Sequence, residues 1–218
     1  MDACRAFVER LANVPALPAT VNPYAGDGPA AVRRDNLARY LSLMLARRPA
    51  LLLVGEAPGY RGARVTGVPF TSEAVLLGEP APFGLFGASA GFCGCGEPGI
   101  QRREATATVL WNTLATLDYL PLLWNACPLH QHQPGRTDSN RAPNAAELAP
   151  GQTFVADLLA LYAIERVVAV GRKAQWALAA WGIPAAHIRH PGHGGKDAFA
   201  AGLAEVKKEY ELRRHDQW

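Results

Sequence analysis

The chain has 218 residues, 49% of them hydrophobic and 19% charged, which is enough apolar material for one core and excludes disordered, collagen-like and coiled-coil classes. The formal charge is only +3, but its positive side is 18 Arg to 4 Lys, and Arg is the cation suited to bidentate phosphate contact. No apolar run approaches the roughly 18 residues of a membrane span. The opening stretch MDACRAFVERLANV mixes acids and bases among its apolar residues, unlike a signal peptide, so a cytoplasmic protein with no membrane partner is expected.

Taken in order, an N-terminal helix is followed by a Pro-, Gly- and Asn-rich stretch, Val14 to Pro29, that reads as a surface loop. Next comes an amphipathic helix with Leu37, Tyr40, Leu41, Met44 and Leu45 on one face, stopped by Pro49. Four short apolar runs read as strands covered on both faces: Ala50 to Val54, Leu122 to Asn125, Arg166 to Val170 and Ala186 to Arg189. Between and after them lie helical stretches, one with Val155, Leu158, Leu159 and Tyr162 on a face, another with Phe199, Leu203, Val206 and Tyr210. Alternating strands and helices predict an α/β fold, a parallel sheet between helical layers, in a single domain over residues 1–218. Residues 78–99, dense in Gly and Pro, form the longest irregular segment and read as functional or mobile.

In such a sheet the ligand crevice lies outside the carboxyl ends of the strands. The first strand runs into GEAPGYRGARVTGVPF, Gly55 to Phe70; the second ends at Asn125; the third leads to Gly171 and Arg172; the fourth leads to His190, Pro191, Gly192 and His193. Each residue alone has an ordinary reading. Glu56 sits where it can cap backbone N–H groups of a strand-to-helix turn, Asn125 where a turn residue is common, His190 where a surface histidine is common, and Phe70 is a plausible core residue. Their joint placement at one sheet edge favours a site.

Other motifs fail. PGHGGKD, residues 191–197, lacks the first glycine of a phosphate loop and has Asp197 where Ser or Thr binds magnesium. No GxGxxG follows the first strand, and no GxSxG occurs. Cys4, Cys93, Cys95 and Cys127 are too sparse for a disulfide framework, and neither Cys93-x-Cys95 nor His130-x-His132 has zinc-ligand spacing, so no metal is expected.

GEAPG at Gly55 to Gly59, TGVPF at Thr66 to Phe70, NACPL at Asn125 to Leu129 and HPG at His190 to Gly192 resemble, in order and spacing, the motifs of the uracil-DNA glycosylase superfamily. GEAPG is similar to the thermostable iron–sulfur branch; TGVPF and NACPL are similar to the single-strand-selective monofunctional branch. The cysteines do not reproduce the cluster-binding spacing of the former, so no cluster and no cofactor are expected.

The resemblance implies a three-layer α/β/α fold with a central, mainly parallel four-stranded sheet. It further implies a monofunctional enzyme that hydrolyses the N-glycosidic bond of uracil, or another deaminated base, in DNA and so initiates base excision repair. Glu56 would orient the water and stabilise the sugar cation, and His190 would donate to uracil O2. Phe70 would stack on the base, Asn125 would read its hydrogen-bonding edge, and Gly55, Ala57, Pro58 and Tyr60 would complete the pocket. Arg64, Arg136, Arg172, His193 and Lys196 would meet DNA, with Arg61, Arg141 and Arg189 as further candidates for phosphate contact.

The chain also departs from the pattern. Ala57 occupies the position that is polar in other branches. Gly59 stands where the major branch has a ring that excludes the thymine methyl, leaving Tyr60 as a substitute or discrimination relaxed. The loop Gly192 to Lys196 lacks a bulky apolar wedge, which His193 would have to replace. A catalytically weak or inactive nucleobase- or DNA-binding relative is therefore the alternative. A monomer is expected.

Overall fold

The computed structural model describes residues 2–96 and 103–215. Helix α1 (Ala3–Ala12) is capped by Asp2, whose side chain accepts from the Cys4 N–H. Strand β1 (Thr20–Val21) leads to α2 (Pro29–Arg47), which begins with proline in its first turn and ends at Arg48 in the left-handed conformation. Then come β2 (Leu51–Gly55), the short helices α3 (Ala63–Thr66) and α4 (Glu73–Leu76), and two single turns at Pro82–Gly84 and Ala88–Ala90. Helix α5 (Ala105–Thr116), β3 (Leu122–Asn125) and β4 (His130–Gln131) follow. The chain continues through α6 (Ala145–Leu161), β5 (Arg166–Val170), α7 (Arg172–Ala180), β6 (Ala186–Ile188) and α8 (Lys196–His215).

The main sheet is parallel, in the order β3-β2-β5-β6. Helices on its two faces make the three-layer α/β/α arrangement expected of strands that are apolar along their whole length. Every residue of β2 and β3 is buried. Register sets the functional edge: Gly55 pairs with Asn125, Val54 with Ala169, and Val170 with Ile188, so the four carboxyl ends finish almost level. From β2 the chain moves outward to β3 and then returns across β2 to β5, and that reversal opens a crevice between the strand ends.

Three sequence readings change. Val14 to Pro29 is not a free surface loop. It contributes β1, which pairs antiparallel with β4, and Asn22 fastens it by donating to the Leu11 and Val14 carbonyls, each at 2.9 Å. Tyr24, 2% exposed, donates its hydroxyl to the Gly67 carbonyl at 2.9 Å. Helix α6 extends well before the Val155 to Tyr162 face: it starts at Ala145 and runs through Pro150, because a capping box between Asn144 and Glu147 initiates it. Of the segment 78–99, residues 97–99 lie outside the described residues, whereas Leu85, Phe86 and Phe92 are core residues. Phe86 packs edge-on to Trp111 of α5 with ring centroids 4.9 Å apart. Among the described residues no helix is long and apolar enough to cross a membrane.

Candidate active site

The strand ends open into a cleft of about 520 Å³, lined among others by Glu56, Ala57, Pro58, Phe70, Asn125, Arg172, His190 and His193. Its floor is Gly55. A Cβ there would run into the Phe70 ring at Cζ and would stand 2.9 Å from Asn125 Oδ1, so the missing side chain lets an aromatic ring and a carboxamide close over one point of the backbone.

Phe70 is held in a costly conformation. Its φ is +55°, in the left-handed region that an aromatic residue occupies only when its surroundings impose it, at a cost of about 1–2 kcal/mol. The TGVPF turn imposes it. Thr66 donates its hydroxyl to the Thr71 carbonyl at 2.7 Å and accepts from the Val68 N–H, and Trp111 Nε1 donates to the Phe70 carbonyl at 3.2 Å. Arg33 and Asn36 of α2 donate to the Val65 and Thr66 carbonyls and tie this turn to the helical layer.

Asn125 is only 6% exposed, yet among the described residues its carboxamide makes no side-chain hydrogen bond. A buried amide without a partner costs about 1–3 kcal/mol. One that opens to a cleft keeps a donor and an acceptor side by side for a ligand.

His190 has a defined tautomer. The Gly192 N–H donates to its Nδ1 at 3.0 Å, so Nδ1 is unprotonated and Nε2 carries the proton of the neutral ring. Burial lowers its pKa, and His193 and Arg189 add to the effect, so the neutral ring is favoured. Glu56 directly follows β2. Burial raises its carboxyl pKa, and Lys173 partly opposes that shift. The loop carrying Glu56 is anchored from below, as its carbonyl accepts from the Cys127 N–H at 2.8 Å and His130 Nδ1 lies 2.8 Å from the Pro58 carbonyl.

The candidate residues thus fall into two groups. Glu56, Ala57, Pro58, Phe70, Asn125, Arg172, His190 and His193 share the cleft with Arg189, while Gly55 lies beneath it. Tyr60 does not line the cleft: its N–H donates to Asn140 Oδ1 at 3.0 Å, and Arg61 sits over its ring at 5.0 Å. Arg64 is half-buried in α3, and burial lowers its pKa. Arg136 is exposed in a turn and donates to Gln133, and Lys196 starts α8; neither lines the cleft. Arg141 lines it but is a clamp. Its guanidinium grips the buried Glu147 carboxylate at 2.5 and 2.8 Å and also donates to the His132 carbonyl.

Glu104 and Trp176 are among the cleft residues that sequence reasoning missed. Trp176 is 57% exposed on α7 with Lys173 Nζ 5.0 Å from its ring centroid. Glu104 is the N-cap residue of α5, and burial pushes its carboxyl up to about 7. Neither belongs to a motif. Among the described residues no three His, Cys, Asp or Glu side chains gather as a metal site requires.

Comparison with known proteins fits this geometry. No curated protein matches the chain. The solved structure of wild-type Pedobacter heparinus SMUG2 is similar to it, with a TM-score of 0.65 at 11% sequence identity, covering 97% of this chain and 100% of the other. The model of the uracil DNA glycosylase superfamily matches residues 44–206, a span that starts in α2 and contains the four strand ends and all the cleft residues named above. This chain belongs to the uracil-DNA glycosylase superfamily.

Proposed function

We propose that this protein is a monofunctional glycosylase that hydrolyses the bond between uracil and deoxyribose in DNA. The observation that carries the reading is the unpartnered Asn125 carboxamide beside the Phe70 ring at the bottom of the cleft. A nucleobase reaches such a depth only after leaving the duplex stack, at a cost of a few kcal/mol that falls for mispaired or single-stranded bases. On the ring face of Phe70 any planar base gains stacking. Asn125 then selects: its oxygen accepts from uracil N3–H and its NH₂ donates to O4. Cytosine offers the opposite pattern and leaves buried groups unpaired, which disfavours it by about 10⁴-fold.

Bond cleavage puts negative charge on the departing uracil and positive charge on the sugar. The Nε2–H of a neutral His190 suits donation to O2 as the charge grows there, since a neutral donor binds the anion without giving up its proton. Glu56, with Lys173 favouring its ionised form, suits a negative charge beside the sugar cation. Arg172, Arg189 and His193 at the cleft suit the flanking phosphates, so binding should weaken steeply with salt.

The test is incubation with single- and double-stranded oligonucleotides containing uracil, followed by alkali and by detection of free base. Strand cleavage at the uracil supports the reading; no cleavage with enzyme in excess removes uracil as the substrate. Oligonucleotides with hypoxanthine and xanthine run alongside, because Ala57 and Gly59 depart from the family pattern.

A further inference from the structure

Glu104 lies far in sequence from every motif and still faces the cleft. Its backbone starts α5, with the carbonyl accepting from the Thr108 N–H, but its side chain does not cap that helix. The carboxyl reaches instead to the loop after β2. A Cβ on Gly59 would stand 2.5 Å from Glu104 Oε1, and a Cβ on Gly62 would run into Oε2, so two glycines make the seat for this carboxyl. Two residues on, the Thr106 hydroxyl would lie 3.7 Å from a Cβ on Gly192, in the loop that carries His190. The start of α5 therefore bridges the Glu56 loop and the His190 loop. Among the described residues the Glu104 carboxyl has no hydrogen-bond partner, which leaves it open to a water in the cleft.

We propose that Glu104 is the proton acceptor for the attacking water, an assignment that rests on the glycosylase reading above. The bond between C1′ and the base nitrogen breaks with its electron pair leaving on the base. The water oxygen bonds to C1′, and its proton passes to the Glu104 carboxylate. Glu104 then releases the proton to solvent and the base anion takes one up, so one water is consumed per bond broken.

The two carboxyls of the cleft are placed for different work. Burial raises the Glu56 carboxyl pKa, but Lys173 opposes that shift and so supplies a cation that favours the charged form suited to a site beside the sugar. The other charged or titratable groups of the cleft are Arg141, Arg172, Arg189, His190 and His193, and burial alone accounts for the displacement of Glu104 to about 7. A carboxyl there is part-ionised at neutral pH and holds a proton more firmly than an ordinary glutamate, which is what a general base needs.

Single-turnover uracil release is measured from acid to alkaline pH for wild type, Glu104→Gln and Gly59→Ala. The wild-type rate constant should rise as pH passes through about 7. In Glu104→Gln it should fall roughly 10²–10⁴-fold and lose that rise, with affinity for uracil-containing DNA unchanged. Gly59→Ala, which pushes the carboxyl from its seat without removing it, should also lower the rate constant and keeps the test available should Glu104→Gln not fold. A Glu104→Gln enzyme with the wild-type rate and pH profile overturns the assignment and leaves the glycosylase reading standing. A wild-type rate that falls through the same pH range also overturns it, since the protonated form would then be the active one. No base release by wild type from any deaminated oligonucleotide overturns both.

Discussion

Gly55→Ala adds one methyl group at the bottom of the cleft and perturbs two recognition groups at once. The new Cβ would run into Phe70 Cζ and stand 2.9 Å from Asn125 Oδ1. Gly55 is a strand residue paired with Asn125, and its φ lies outside the left-handed region, so the backbone accepts alanine and the cost falls on packing. Overpacking of this kind destabilises by about 1–3 kcal/mol, which for a chain of this size lowers Tm by roughly 2–12 °C and leaves the fold intact. Activity should suffer more. A displacement of about 1 Å in a positioning group costs on the order of 10²-fold, and here the stacking surface and the hydrogen-bonding edge both move. The assay pairs single-turnover uracil release with a thermal melt. The expected result is a folded protein with at least about a 10²-fold lower rate. A folded Gly55→Ala protein with wild-type uracil release would refute the argument that Phe70 and Asn125 act together over this residue.

Further outcomes follow from other contacts. Asn125→Asp presents acceptors where uracil O4 needs a donor, so uracil release should drop by about 10³-fold or more and cytosine should become the better substrate, as measured with matched oligonucleotides. Arg141→Ala strips the partner from buried Glu147 and should cost about 3–5 kcal/mol in chemical denaturation. Arg141 holds the Glu147 carboxyl pKa below its ordinary value, so that pair stabilises the wild type above the unfolded pKa and is lost as pH falls through the folded one. Glu104 has the reverse sign. Its folded pKa is raised from 4.5 to about 7, so wild type loses stability as pH rises between those values. Glu104→Gln should therefore be the more stable protein in mildly alkaline buffer, by up to about 3 kcal/mol, with the advantage vanishing in acid. Arg172→Ala should weaken single-stranded DNA binding and lower the salt slope by about one.

How far the primary structure predicts this molecule depends on the range of the interactions involved. LLLVG, LLWN and RVVAV declare themselves as buried strands because each is continuously apolar, and parallel pairing then aligns their ends without further information. Asn125 ends such a strand and His190 lies just past β6, so their place at the edge can be inferred, whereas Phe70 reaches it only through the TGVPF turn beyond α3. The β1–β4 ribbon does not declare itself, since Thr20–Val21 and His130–Gln131 are two-residue strands whose pairing depends on a fold already formed. Residues 78–96 look like a loop because Gly and Pro dominate their local conformation, yet Leu85, Phe86 and Phe92 bury as firmly as strand residues once α5 arrives. Glu104 has no local signature. Only the tertiary approach of α5 to Gly59 and Gly62 shows what those two glycines accommodate. Tyr60, adjacent to a motif, is not among the residues lining the cleft; its N–H bonds to Asn140, which does line it, and Arg61 lies over its ring.

Free uracil released from a single-stranded oligonucleotide, quantified by mass spectrometry for wild type beside Asn125→Ala, puts the recognition scheme to the plainest test. The scheme predicts uracil from the wild type and a release rate lower by about 10²–10⁴-fold in the variant, in keeping with two buried hydrogen-bonding groups of the base left unpaired. Uracil released equally fast by both proteins, or by neither with enzyme in excess, would contradict it.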